Sequence, residues 1–126
     1  MTKFFKSYKK DAGTDIVMSE TVTLKAKEMT DVPLRVNVNP PRRHLAIVCP
    51  RSSYAMKGIF IANCPIDSGY TGNIRAIVYN SSNEDIVVHQ GERFCQFIVL
   101  KCKPNILGIK NNFNKRKNRG WGSTGK

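Results

Sequence analysis

Short alternating runs, cut at close intervals by turn-forming residues, leave this chain little choice of fold. Thr21-Val22-Thr23-Leu24-Lys25-Ala26-Lys27 alternates polar and apolar residues, and Leu34-Arg35-Val36-Asn37-Val38-Asn39 does the same. A period of two sends every second side chain to one face, the pattern of a half-buried strand. Residues 44–49, 59–62, 74–79, 86–88 and 94–100 are rich in β-branched and aromatic residues. Between them stand breakers: Asn39-Pro40-Pro41, Ser68-Gly69, Asn80-Ser81-Ser82-Asn83 and Gln90-Gly91. Helical patterning is almost absent and no internal repeat is visible. Short strands between turns predict an all-β sandwich or barrel of jelly-roll type.

A chain of 126 residues suits one domain with a real core. The ordered domain is expected over residues 1–108, with 109–126 forming a flexible C-terminal arm. No apolar run reaches membrane-spanning length, and Met1-Thr2-Lys3-Phe4-Phe5-Lys6 lacks the apolar centre of a signal peptide. No membrane partner is expected. Cys49, Cys64, Cys95 and Cys102 form no CxxC pair and have no histidine cluster beside them, which argues against zinc. Each sits in or beside an apolar segment. Buried free thiols in a reducing intracellular compartment, cytoplasm or nucleus, are the expectation. The formal charge of +12 points to anionic partners: nucleotides, nucleic acid or acidic surfaces. Charge alone does not separate a nucleotide enzyme from a nucleic-acid binder.

Several segments carry chemistry. Asp11-Ala12-Gly13-Thr14-Asp15-Ile16-Val17 places an acid after a glycine turn at a strand start. Pro50-Arg51-Ser52-Ser53, followed by Lys57-Gly58, offers a guanidinium and hydroxyls to phosphate oxygens. Ile66-Asp67-Ser68-Gly69-Tyr70-Thr71-Gly72 sets an acid and an aromatic three residues apart across a turn. Gly91-Glu92-Arg93-Phe94-Cys95-Gln96-Phe97 buries a polar Gln in an apolar strand. The C-terminal Gly120-Trp121-Gly122-Ser123-Thr124-Gly125-Lys126 has no period to bury. Its glycines let backbone N–H groups approach an anion, and Trp121 offers a face on which a base can stack. Taken singly, Asp15 and Asp67 read more readily as turn residues, Ser52 and Ser53 as loop positions, Tyr70 as core, and Gln96 as an outward strand position.

Taken together, the five segments resemble, in order and spacing, the five motifs of the trimeric deoxyuridine triphosphatases (dUTPases), from about Asp11 to Gly125. The corresponding family patterns are AGxDL, PRSGxxxK, IDxxYxG, GxRxAQLI and GFGSTG. The resemblance implies a homotrimer of jelly rolls with active sites shared between chains. It further implies hydrolysis of dUTP to dUMP and pyrophosphate, with Mg²⁺ chelated by the triphosphate. Asp67 matches the family's general base toward the attacking water. Tyr70 matches the aromatic beneath the deoxyribose, and Arg51, Ser52, Ser53 and Gln96 match contacts to the phosphates and water. Asp15 matches an acid near the metal's water shell. Asn63 and Ile66 fall in the hairpin that reads uracil through its backbone. Arg116, Trp121, Gly122, Ser123 and Thr124 match the closing tail. Nucleic acid is not required for that activity.

Departures from the family pattern are specific. The stretch from Pro50 to Asp67 is short, as in poxviral and retroviral members, which implies a viral or virus-derived origin. Ala62-Asn63-Cys64-Pro65 stands where glycines usually precede the base, and Pro65 removes one N–H donor. Asn73 replaces a common Glu, Trp121 replaces Phe, and Arg116 or Arg119 supplies the tail arginine. Two alternatives remain at this point: an inactive dUTPase-like signalling or binding protein, and a basic nucleic-acid-binding β-domain. The latter lacks the interleaved aromatics of a stacking platform.

Overall fold

The computed structural model describes residues 11–103 and, as backbone, the strand β1 (Lys3–Phe4). The further strands are β2 (Thr14–Val17), β3 (Val22–Leu24), β4 (Met29–Asn37), β5 (His44–Pro50), β6 (Ile59–Ile61), β7 (Ile66–Asp67), β8 (Asn73–Asn80), β9 (Ile86–Val88) and β10 (Arg93–Lys101). One helical turn, α1 (Ser52–Ala55), follows β5. A five-stranded sheet runs β1-β2-β10-β5-β7, a three-stranded sheet runs β4-β8-β6, and β3 pairs with β9. Every pairing is antiparallel. This is the all-β jelly roll that the alternation predicts.

Alternation builds the core directly. Along β8, Ile74, Ala76, Val78 and Asn80 are buried while their neighbours face outward. Ile74, Ala76 and Val78 meet Ile16, Leu24, Val32, Leu34, Ile59, Val88 and Phe94 in one cluster. Each such aliphatic or aromatic side chain contributes about 1.5–3 kcal/mol by leaving water. The single fully buried polar residue among those described is Asn80. Its amide donates to the Leu24 and Glu84 carbonyls, both at 2.8 Å, and its Oδ1 accepts from Ser82 N and Oγ at 3.0 and 2.7 Å.

Beyond one-residue shifts at strand ends, three features differ from the sequence reading. The first alternating segment is a strand only over Val22–Leu24, because Lys27 takes a left-handed φ of 60° and the chain turns there. The second begins five residues early, at Met29, and carries Pro33 inside it. Pro33 is tolerated because β4 is an edge strand, where a missing N–H costs no ladder bond. The third difference is in β10, where Phe94 and Cys95 are buried in succession. A bulge against β2, between Arg93 and Cys95, absorbs the extra residue. The expectation of buried thiols holds fully for Cys95 alone; Cys49, Cys64 and Cys102 are free but half-buried. No helix among the described residues is long and apolar enough to cross a membrane.

Candidate active site

Strand β5 has two ends, and the site residues divide between them. At its C-terminal end the ladder sets Asp15 of β2 opposite Gln96 of β10, and Gln96 opposite Cys49 of β5. Arg51 follows immediately. Asp15 Oδ2 lies 3.4 Å from Arg51 Nε and 3.4 Å from Arg93 Nη1, so one half-buried carboxylate is flanked by two guanidiniums. The bulge in β10 is what lets Arg93 and Gln96 both stay on this partly open face while Phe94 and Cys95 turn inward. Gln96 is therefore half-exposed rather than buried as its apolar neighbours suggest. Gly13 secures it. A Cβ on Gly13 would stand 2.6 Å from the Phe97 carbonyl and 2.7 Å from Gln96 Oε1. Ser52 and Ser53 open α1 with their side chains exposed beside Arg51.

A buried prop holds this end. The Tyr54 ring meets Phe94 edge-on, centroids 5.1 Å apart, and its hydroxyl donates to Glu92 Oε2 at 3.3 Å. Glu92 Oε1 accepts from the His89 amide at 2.6 Å. Burial, then the Glu92 carboxylate, raises the Tyr54 hydroxyl above the ordinary tyrosine value. Burial, then the Asp15 and Cys49 charges, pushes the Cys95 thiol far up, so it stays protonated and inert.

At the other end, β7 pairs Asp67 with Leu45 and Ile66 with Ala46. Ile66 is buried and Asp67 is exposed. The turn that follows is built from backbone bonds. Tyr70 N donates to the Asp67 carbonyl at 3.1 Å, Gly69 N to Asn39 Oδ1 at 3.1 Å, and Asn37 Nδ2 to the Thr71 carbonyl at 2.9 Å. Tyr70 packs against the core and its hydroxyl donates to the Asn73 carbonyl at 3.2 Å. A Cβ on Gly72 would collide with the Tyr70 hydroxyl, so only glycine leaves the ring this place. Asn63 is exposed in the connection between β6 and β7. Five residues of β5 separate the row of Asp67 from the row of Pro50, about 17 Å of extended chain.

Asp15, Arg51, Ser52, Ser53 and Gln96 thus share one end of the sheet, with Asp67, Ile66 and Tyr70 at the other. Arg116, Trp121, Gly122, Ser123 and Thr124 lie outside the described residues. Sequence reasoning did not single out Arg93, Tyr54, Glu92, Asn37 or Asn39. Arg93 had a signal, its fixed place between Gly91 and Gln96. The two asparagines had none, since their role depends on β4 lying beside the 67–72 turn.

The fold and this geometry define a jelly-roll protein with two guanidiniums, two exposed hydroxyls and an amide gathered at one end of β5 and an exposed carboxylate at the other. The dUTPase family model matches residues 1–125, and the chain belongs to that family. It is 34% identical over 117 residues to the Pol polyprotein of Ovine maedi visna related virus (strain South Africa), covering 91% of this chain and 11% of that polyprotein. To the deoxyuridine 5′-triphosphate nucleotidohydrolase of Leifsonia xyli subsp. xyli it is 43% identical over 96 residues, 71% of this chain and 62% of that enzyme. Among solved structures it is similar to the native EIAV dUTPase, with a TM-score of 0.75 and 25% identity over 93% of this chain and 99% of that one.

Proposed function

We propose that the chain hydrolyses dUTP to dUMP and pyrophosphate at sites assembled between the subunits of a homotrimer. The observation that carries this reading is the division along β5: guanidiniums and hydroxyls around Arg51 at one end, the exposed Asp67 and the half-buried Tyr70 at the other. About 17 Å is too far for Asp67 to serve a nucleotide whose phosphates lie on Arg51 of the same chain. A neighbouring copy related by closed threefold symmetry removes the gap. Val99 and Leu100 on β10, 52% and 45% exposed, are apolar surface available for such contact.

In this site Arg51, Ser52, Ser53 and Gln96 hold the phosphates, and Tyr70 lies beneath the deoxyribose. Asp67 takes a proton from a water in line with the α-phosphorus. The water oxygen bonds to that phosphorus, the bond to the bridging oxygen breaks, and pyrophosphate leaves. The Ala62-Asn63-Cys64-Pro65 connection and Ile66 read the base, while Arg116 and residues 121–124 close over the nucleotide. Mg²⁺ fits as an ion carried in by the triphosphate, whose charge it neutralises. No group of three His, Cys, Asp or Glu among the described residues could cage it; Asp15, which pairs with two arginines, would reach such an ion only through its waters. The relatives within lentiviral Pol polyproteins favour a viral kinship. Free cysteines favour a reducing compartment.

Pyrophosphate release from dUTP, dTTP, dCTP and UTP tests the reading. Release from dUTP well above the other three is expected. Equal rates on dTTP would break the assignment of the hairpin, and no release from any would break the function.

A further inference from the structure

The cations of the described body are unevenly spent. Residues 11–103 contain all nine acids and eleven of the twenty-one Lys and Arg. Lys25 pairs with Asp85, Arg35 with Glu20, Arg75 with Asp31, and Arg51 and Arg93 with Asp15. Lys27 donates to the Ser81 carbonyl at 2.7 Å, and Lys57 lies 5.1 Å above the Tyr54 ring. The four that remain, Arg42, Arg43, Lys101 and Lys103, are exposed and have no carboxylate partner among the described residues.

These four occupy one corner. His44 lies opposite Lys101 in the β5–β10 ladder, and Cys102 N donates to the Arg43 carbonyl at 2.8 Å. His44 N closes the turn onto the Pro41 carbonyl at 3.0 Å, and its Nδ1 donates to the Arg42 carbonyl at 2.9 Å. Arg43 is held at φ 64°, the left-handed conformation that turns the chain into β5. The nearest acid by register, Asp67, is one row further in, opposite Leu45.

We propose that this corner binds the phosphodiester backbone of duplex nucleic acid, independently of sequence. Arg42 and Arg43 in the turn before β5, and Lys101 and Lys103 at the end of β10, are drawn together by the Cys102–Arg43 bond and present several cations side by side. Such an array fits a repeating polyanion better than one enclosed phosphate. The paired arginines have the planar fork that matches phosphate oxygens. Residues 40–46 and 99–103 contain no Phe, Tyr or Trp. With the one imidazole, His44, tied to the Arg42 carbonyl, the corner has no aromatic platform for successive bases, which favours a duplex over a single strand. The same lack, with no helix at the corner, removes the anchors a membrane surface uses.

The test is the salt dependence of binding to a labelled mixed-sequence DNA duplex, read by anisotropy with the full chain between 50 and 200 mM salt. Substituting Arg42→Ser, Arg43→Gly, Lys101→Ser and Lys103→Ser together should make the log–log slope shallower by about 3 to 4, at about 0.9 for each phosphate no longer neutralised. A charge-matched control, Lys25→Ser, Lys27→Ser, Arg35→Ser and Arg75→Ser, should change it by less than about 1. If the fourfold variant does not fold, Arg42→Ser with Lys103→Ser, both outside the ladder, should change it by about 2. The proposal is overturned by an unchanged slope in the folded corner variant, by an equal change in the control, or by binding to phosphatidylserine vesicles and not to duplex.

Discussion

The two ends of strand β5 are built on different principles. At the Arg51 end the side chains hold one another: a carboxylate between two guanidiniums, a bulge that aims Arg93 and Gln96, and a buried tyrosine beneath. At the Asp67 end the backbone does the holding, through a turn pinned by Asn37 and Asn39 and by a glycine beneath Tyr70. The first end is a preformed ion-paired cluster, the cradle proposed for the phosphates. The second presents one exposed carboxylate on a fixed turn. Substitutions at the Arg51 end should therefore disturb stability and phosphate binding together. At Asp67 chemistry should be lost with the fold intact.

The largest effect sharpens that contrast. Asp67→Asn should lower turnover by roughly 10²–10⁴-fold, the usual loss of a general base, while nucleotide affinity and thermal midpoint stay put. Steady-state kinetics and calorimetry on one preparation check both halves, and a large drop in the midpoint would undo the contrast. Asn80→Ala is the opposite case, remote from both ends. Orphaning the Leu24 and Glu84 carbonyls should cost about 2–3 kcal/mol in denaturant unfolding, with kcat/KM of the folded protein unchanged. Asp15→Asn leaves Arg51 and Arg93 facing each other without a counter-charge. A loss of about 1–2 kcal/mol is expected, together with a raised KM. An unchanged KM would separate the ion-paired cluster from phosphate binding. The smallest effect is alkaline. The Tyr54 hydroxyl titrates higher folded than unfolded, so its contribution is complete below the ordinary tyrosine value near 10 and fades as pH rises through the folded value. Tyr54→Phe should flatten the stability loss above about pH 10, and identical profiles would contradict the buried prop.

Much of this was legible in the sequence, for physical reasons. Alternation reports which face of a strand is buried and, with the β-branched runs, it gave the all-β class, though not the strand order or pairing of the sheets. It misled in β10, where a bulge breaks the period and buries Phe94 and Cys95 side by side. It also missed the start of β4, because Pro33 reads as a breaker and its tolerance depends on the strand being at an edge. The motif spacing marked Asp15, Arg51, Gln96, Asp67 and Tyr70 but could not tell which of them meet in one chain. That follows from strand order, since β2, β10 and β5 are neighbours while β7 pairs at the far end of β5. Asn80 looked like a turn residue and is instead the buried bracket between three segments, a role fixed by a hydrogen bond to a residue 56 positions away in sequence.

The central claim is that Asp67 of one chain serves the phosphate cradle of another. Subunit complementation tests it most directly. Asp67→Asn and Arg51→Ala chains, each inactive alone, are unfolded together in equal amounts and refolded as mixed oligomers. Shared sites predict that dUTP hydrolysis reappears at about one quarter of the wild-type rate, the fraction of sites that draw both intact residues from different chains of a randomly mixed trimer. A mixture as inactive as its two components, with mixed oligomers confirmed by mass, would contradict the account.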